Sequence, residues 1–271
     1  MIDANKGGRE FCFVIGLPRS GTTVFKDMLQ THPLVFNMGE IFSEPNGRSY
    51  FHFLQKLVDA DRDALFPSRA ESNFIGYLEW CRAQAQANRP GSKIIVLDVK
   101  YDQTQLLVDP WRSLGSLPRI FSLMRDHSWR VIDIHRNEIL DQIVSNRVAI
   151  KTKIYHSDKQ TRAEGAMVKV RLDPKQLRRE INWALNSYHA VSQHFKDYDG
   201  YMMVSYEEMF DADGDFSASL TENLSAFLGL ENKFDRKPKL VKLLDSNVYS
   251  HIENDIEIRE FVDRWKRNKR S

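Results

Sequence analysis

The chain has 271 residues, 42% of them apolar and 28% charged, with 39 Lys and Arg against 37 Asp and Glu for a formal charge of +2. That length suits one large folded domain whose core leaves room for a ligand cleft, and the balanced charge excludes a histone-like or tail-driven nucleic-acid binder. Thirteen Gly and 9 Pro exclude collagen-like and low-complexity classes, while two cysteines, Cys12 and Cys81, form neither a disulfide framework nor a four-ligand zinc site.

The first residues carry Asp3 and Glu10 ahead of a short apolar run that soon meets Pro18 and Arg19, and do not read as a signal peptide. No apolar stretch approaches the ~20 residues needed to span a bilayer. The expectation is therefore a soluble, cytoplasmic protein without an integral membrane segment. Phe11–Gly16 (FCFVIG) is continuously apolar and reads as a buried strand with Cys12 as a small core residue. Thr22–His32 reads as the helix after it, and the patch Leu34–Phe36 as a second strand ending at the cleft. Residues 50–90 look helical and form a candidate lobe over the sheet. Ile94–Asp98 (IIVLD) follows the breaker Gly91 as a further strand. Arg130–Ile134 (RVIDI) is another; it leads into a helix over Asn137–Lys151, where Ile139, Leu140, Ile143, Val144 and Ala149 recur at helical spacing.

The segment Lys151–Arg171 is polar, basic and poorly periodic, which marks a mobile loop or lid. Pro174 opens a long helix that Asp199-Gly200 closes, and Tyr201–Ser205 (YMMVS) is the last strand. The tail Arg259–Arg270, with Trp265, reads as a helix with a solvated basic face. Continuous apolar strands alternating with helices give an α/β class: a P-loop-like three-layer fold with a central, mostly parallel sheet flanked by helices. There are no repeats and no linker, so residues 1–271 read as a single domain.

The segment Gly16-Leu17-Pro18-Arg19-Ser20-Gly21-Thr22-Thr23 sits between the first strand and its helix. A glycine-bearing turn there aims backbone N–H groups at an anion, and the helix N-terminus adds roughly half a positive charge. Ser20, Thr22 and Thr23 add hydroxyl donors, and Arg19 a forked cation suited to phosphate or sulfate. Gly16 and Gly21 have the spacing of a Walker A loop, but Thr22 occupies its lysine position. Without that lysine a nucleoside triphosphatase is disfavoured, although Asp98 and Asp133, near strand ends, imitate a Walker B residue. A second anion site is suggested by His135-Arg136 directly after the RVIDI strand, with Ser145 nine residues beyond Arg136. An arginine at a strand's carboxyl end faces the crevice where open α/β sheets bind ligands.

Together these segments resemble the 3′-phosphoadenylyl-sulfate (PAPS)-dependent sulfotransferases. LPRSGTT is similar to their 5′-phosphosulfate loop, in an Arg-Ser-Gly form, and VIDIHRNEILDQIVS to their 3′-phosphate site. Tyr206–Phe210 with Leu224–Leu230 resembles a stretch common near the end of that fold. The resemblance extends to bacterial carbohydrate sulfotransferases of the trehalose and nodulation-factor types, through His135–Ser145, Asp102-Gln103-Thr104 and Gly39-Glu40. It implies that Arg19, Ser20, Gly21, Thr22 and Thr23 hold the 5′-phosphosulfate and that Arg136 and Ser145 hold the 3′-phosphate. PAPS is then the co-substrate, with no metal.

The same resemblance places a carboxylate base soon after the first helix. Glu40 fits, with Glu44 close behind, and a solvated or capping role is the alternative for either. His52 is a further proton carrier that nothing places in the cleft. Lys100 and Asp102, just past the Ile94–Asp98 strand, either touch the sulfonate or acceptor or sit on the surface; Lys100 is counted with Glu40 and Arg19 among the catalytic candidates. Phe42, Tyr50, Phe51, Phe53, Trp80 and Tyr101 line an apolar acceptor site or belong to the core. The implied partner is a small-molecule or glycan acceptor rather than nucleic acid, with a homodimer left open. Two competing functions stand beside O-sulfotransfer: a metal-dependent phosphotransferase using ATP, and a non-catalytic nucleotide-binding protein.

Overall fold

The computed structural model describes residues 8–43, 47–106, 117–155, 168–240 and 247–270. Five strands form one sheet: β1 (Phe11–Gly16), β2 (Val35–Glu40), β3 (Ile94–Lys100), β4 (Arg130–His135) and β5 (Tyr201–Ser205). Their order is β2-β3-β1-β4-β5 and every pairing is parallel. β1 and β3 are buried at every residue, which is why their sequences are continuously apolar rather than alternating. The architecture is the expected three-layer α/β fold.

The chain divides into two compact units, one of residues 1–135 and 188–238 and the other of residues 136–187 and 239–271. The first holds the sheet. On one face, α1 (Thr22–Thr31) supplies Phe25, Met28 and Leu29, and α7 (Ala218–Leu228) supplies Leu220, Leu224 and Leu228, against Cys12, Val14, Val96 and Ile132. The other face is aromatic. Phe13 meets Phe74 and Trp129, and Phe74 in turn meets Tyr50, Tyr77 and Phe42, joining the sheet to α2 (Tyr50–Ala60) and α3 (Ala70–Asn88). Residues 50–90 are thus helical, as their pattern predicts, and belong to the same unit as the sheet. Phe42 and Tyr50 are buried within this aromatic cluster. Core packing, the second of their two expected roles, accounts for them. α4 (Arg119–Asp126) adds Phe121, edge-on to Tyr101 and Phe195.

The second unit contains α5 (Ile139–Thr152), most of α6 (Pro174–His194), and α8 (Asp255–Arg270). Arg147 pairs with Glu180, Lys151 Nζ donates to the Lys169 carbonyl at 2.8 Å, and Val170 bridges Ile252. Asn254 both accepts from the Leu172 N–H and donates to its carbonyl. Of the expected lid, residues 156–167 lie outside the described residues. Among the described residues no helix is long and apolar enough to cross a membrane.

Three boundaries differ from the sequence pattern. β3 runs on to Lys100 because two polar side chains, Asp98 and Lys100, find partners inside the fold. The second strand is Val35–Glu40, longer than its apolar patch, with the register shifted between Asn37 and Gly39. Such a bulge re-aims the residues beyond it, and here it brings Glu40 opposite Asp98. α6 stops at His194, short of Asp199-Gly200. The chain there turns around Tyr198, whose hydroxyl donates to the Trp129 carbonyl at 2.5 Å.

Candidate active site

The loop between β1 and α1 has the conformation an anion cradle needs. Gly21, the residue before α1, has φ +99° and provides no side-chain cap, so the first N–H groups of a ten-residue helix are left to a ligand or solvent. Arg19 takes φ +64°, a left-handed conformation that non-glycine residues adopt at a cost. The Ser20 N–H donates to the Leu17 carbonyl at 3.2 Å and closes the turn. The Ser20 hydroxyl is fully buried and has no hydrogen-bond partner among the described residues. A buried hydroxyl without a partner is costly unless a ligand engages it.

Both loop glycines face close neighbours. A Cβ on Gly16 would meet Ser20 Oγ at 2.7 Å and the Ile134 carbonyl at 2.9 Å, while one on Gly21 would collide with the Tyr206 ring. Backbone approach, a buried spare hydroxyl and an uncapped helix start together fit the anionic end of a nucleotide.

Behind the loop lies a buried charge network. Lys100 Nζ donates to Thr22 Oγ1 at 2.7 Å and to Asp98 Oδ1 at 2.5 Å, and stands 3.6 Å from Glu40 Oε2. Asp98 is completely buried and its second oxygen pairs with Lys26 of α1. Burial pushes the Asp98 carboxyl up, but the charges of Lys100 and Lys26 outweigh it and hold the group below the usual carboxylate range. Glu40 is one-third exposed, and its Oε1 accepts from Gln103 Nε2 at 2.5 Å. The Gln103 Oε1 accepts from the Lys100 N–H at 3.4 Å, so one amide fixes the end of β3 to the carboxylate of β2.

The structure therefore brings Thr22, Lys100 and Glu40 together, with Ser20, Gly21 and Arg19 in the adjoining loop. Of the alternatives for Lys100, the surface one is excluded by burial; Asp102, two residues on, is exposed. Glu44 lies outside the described residues. His52 sits in the first turn of α2, where its N–H is held by the capping Ser49 hydroxyl. Arg136 and Ser145 belong to the second unit and are each 5% exposed. The Arg136 guanidinium donates to Asp141 at 3.4 Å, which orients it at the start of α5.

Both Walker B imitations are overturned by their partners. Asp98 has each oxygen on a lysine ammonium. Asp133 is wholly buried and accepts from the Tyr101 hydroxyl, from Tyr201 at 2.7 Å and from His135 Nε2 at 2.8 Å. Burial and the Asp133 charge push both phenols upward. Tyr101 is thus spent on this carboxylate rather than on an acceptor pocket.

Sequence reasoning missed Lys26, and it gave Gln103 and Tyr206 no individual role although both lie in stretches that carry the family resemblance. Lys26 had a signal: it lies four residues after Thr22, on the same helical face, among the apolar Phe25, Met28 and Leu29. The particular contacts of Gln103 with Glu40 and of Tyr206 with Gly21 had none, because those partners are distant in the chain.

No curated protein matches the chain. A family model described as the Sulfotransferase family does match it, over residues 12–231. That span begins in β1, runs through the loop, Lys100, Glu40, Arg136 and Ser145, and ends after α7, covering well over half of the sequence. The chain belongs to the sulfotransferase family.

Proposed function

We propose that the protein, acting as a single catalytic domain in the cytoplasm, transfers a sulfonate from PAPS to a hydroxyl of a carbohydrate or glycolipid. The observation that carries this reading is the position of Lys100, whose ammonium sits on the loop hydroxyl of Thr22 and 3.6 Å from the Glu40 carboxylate. A cation between an anion loop and a partly exposed carboxylate is what in-line transfer to a hydroxyl requires. When bound, PAPS supplies an activated sulfonate: the acceptor oxygen bonds to sulfur as the bond to the bridging phosphate oxygen breaks, and adenosine 3′,5′-bisphosphate leaves.

The chain's own groups then have separate tasks. Glu40 takes the acceptor proton on Oε2 while Gln103 holds Oε1 in place. The loop N–H groups, the Ser20 hydroxyl and the Arg19 guanidinium meet the charge that grows on the leaving side. Lys100 steadies the sulfonate end, and Thr22, accepting from Lys100, keeps its own hydroxyl proton to donate. Arg136 and Ser145 take the 3′-phosphate, as the family resemblance implies. The loop of a triphosphatase works through a divalent cation that a Walker B carboxylate helps to hold. Neither Asp98 nor Asp133 presents a spare oxygen for that task.

The first test compares thermal shifts with 3′,5′-bisphosphoadenosine and with ATP plus magnesium, followed by an acceptor screen using labelled PAPS. Stabilisation by the bisphosphate above that by ATP is the expected result; preference for magnesium ATP with nucleotide turnover would replace sulfotransfer by phosphotransfer. Glu40→Gln should lower turnover about 10²- to 10⁴-fold while bisphosphate affinity persists. Binding with no transfer to any acceptor by the unaltered protein would favour the non-catalytic reading.

A further inference from the structure

Asp98 is the most deeply buried charge of the site and has no task in that reaction. It cannot touch substrate: it is completely buried, and its oxygens are occupied by Lys26 and Lys100. A buried carboxylate flanked by two ammoniums is weak evidence for a stabilising role, since apolar packing of similar volume often serves as well. Its effect on Lys100 is more specific. An ammonium has three protons; Asp98 takes one, Thr22 a second, and the third has Glu40 as its nearest carboxylate, at 3.6 Å.

We propose that Asp98 is a positioning residue that holds Lys100 off Glu40, keeping the cation on the anion loop and its ion pair with the base long, at 3.6 Å, rather than a short hydrogen-bonded one. This rests on the reading of Glu40 as the base. The strongest attraction on Lys100 is a charge-assisted bond of 2.5 Å to Asp98, backed by the hydrogen bond to Thr22. Without Asp98, Glu40 at 3.6 Å is the carboxylate nearest the ammonium among the described residues. The ammonium would swing about an ångström onto Glu40, neutralise it, and leave Thr22. Lys26 has the complementary part: by occupying the other Asp98 oxygen it fixes the carboxylate between helix and strand. Among the described residues the charged groups near Glu40 are Lys100 directly, Asp98 and Lys26 behind it, and Asp102 on the turn that follows β3.

The test reads the Glu40 carboxyl directly by carbon-13 NMR, assigned by its loss in Glu40→Gln, so that it is independent of turnover. Asp98→Asn should lower the Glu40 midpoint by about one pH unit or more, drop the kcat plateau at least tenfold and change bisphosphate affinity about threefold or less. Because two uncompensated lysines could unfold that variant, the charge-balanced Asp98→Asn/Lys26→Met protein is measured alongside it. It keeps the local net charge of the parent yet still releases Lys100, so it should show the same downward midpoint. An unshifted Glu40 midpoint in the folded double variant overturns the proposal. A parent protein that transfers no sulfonate overturns the assignment of function instead, whatever the midpoints do.

Discussion

Arg19 concentrates the cost and the use of the loop in one residue. Its φ of +64° is a conformation glycine adopts freely and other residues reach at about 1–2 kcal/mol. A glycine there would relax the backbone, so the guanidinium rather than the turn explains why the position is not glycine. Arg19→Gly and Arg19→Ala should both lose about 10²- to 10³-fold in kcat/KM, since both remove the cation. Their stabilities should differ: Ala keeps the strain and Gly relieves it, so the Gly variant should melt at or above the Ala variant. Equal turnover in parent and Gly variant would remove Arg19 from the chemistry. At this scale the loop was legible because its eight residues are contiguous and their donors lie side by side. The Lys26–Asp98–Lys100 chain was not, because the contact that completes it joins Lys26 to Asp98, 72 residues apart across a helix and a strand, and nothing in a linear pattern says which buried cation meets which carboxylate.

Elements were legible where one face is apolar and blurred where polar side chains complete them from afar. The turn between α1 and β2 shows why. His32 Nδ1 accepts from the Leu34 N–H at 3.1 Å, so Nε2 carries the proton and donates to the Glu231 carbonyl at 3.1 Å, with Phe234 packed 5.0 Å from the ring. One neutral imidazole thereby ties the start of β2 to the segment after α7. Burial lowers the pKa of His32 more than the Glu231 carbonyl raises it. The unfolded chain therefore binds the proton more tightly than the folded one. The contribution of His32 to stability is fully present above its ordinary value of 6.5 and declines as pH falls through that value toward the folded one. Protonation also removes the acceptor that Leu34 needs. Denaturant melts at pH 7.5 and 5.5 should show the parent losing stability over this interval, and His32→Asn should lose measurably less. An identical slope in the variant would assign the acid sensitivity to other groups. Periodicity found α1 and the beginning of β2 correctly, yet a histidine shared between distant segments leaves no trace in either pattern.

For the whole molecule, strand order decides where chemistry can occur. β1 lies between β3 and β4, so the chain leaves β1 toward one side of the sheet and later crosses to the other. In open parallel sheets that reversal opens a crevice beyond the strands' carboxyl ends. The loop after β1, Lys100 at the end of β3 and Glu40 at the end of β2 all follow carboxyl ends. The α/β class was readable from alternating elements; the order was not, because pairing between parallel strands depends on packing of both faces. The 3′-phosphate role proposed for Arg136 can be separated from a role in folding by comparing two ligands. At 100 times its dissociation constant a ligand stabilises the folded state by about 2.7 kcal/mol. If Arg136→Ala weakens 3′,5′-bisphosphoadenosine by ~100-fold, in line with about 3 kcal/mol for charged hydrogen bonds, the same concentration then adds only about 0.4 kcal/mol. The melting shift should fall from about 5–10 °C to about 1–2 °C. Adenosine 5′-phosphosulfate lacks the 3′-phosphate, so its smaller shift should be the same in parent and variant. Equal losses for both ligands would mean that Arg136 supports the fold or the 5′ end, and the 3′ site would have to be sought among other cations.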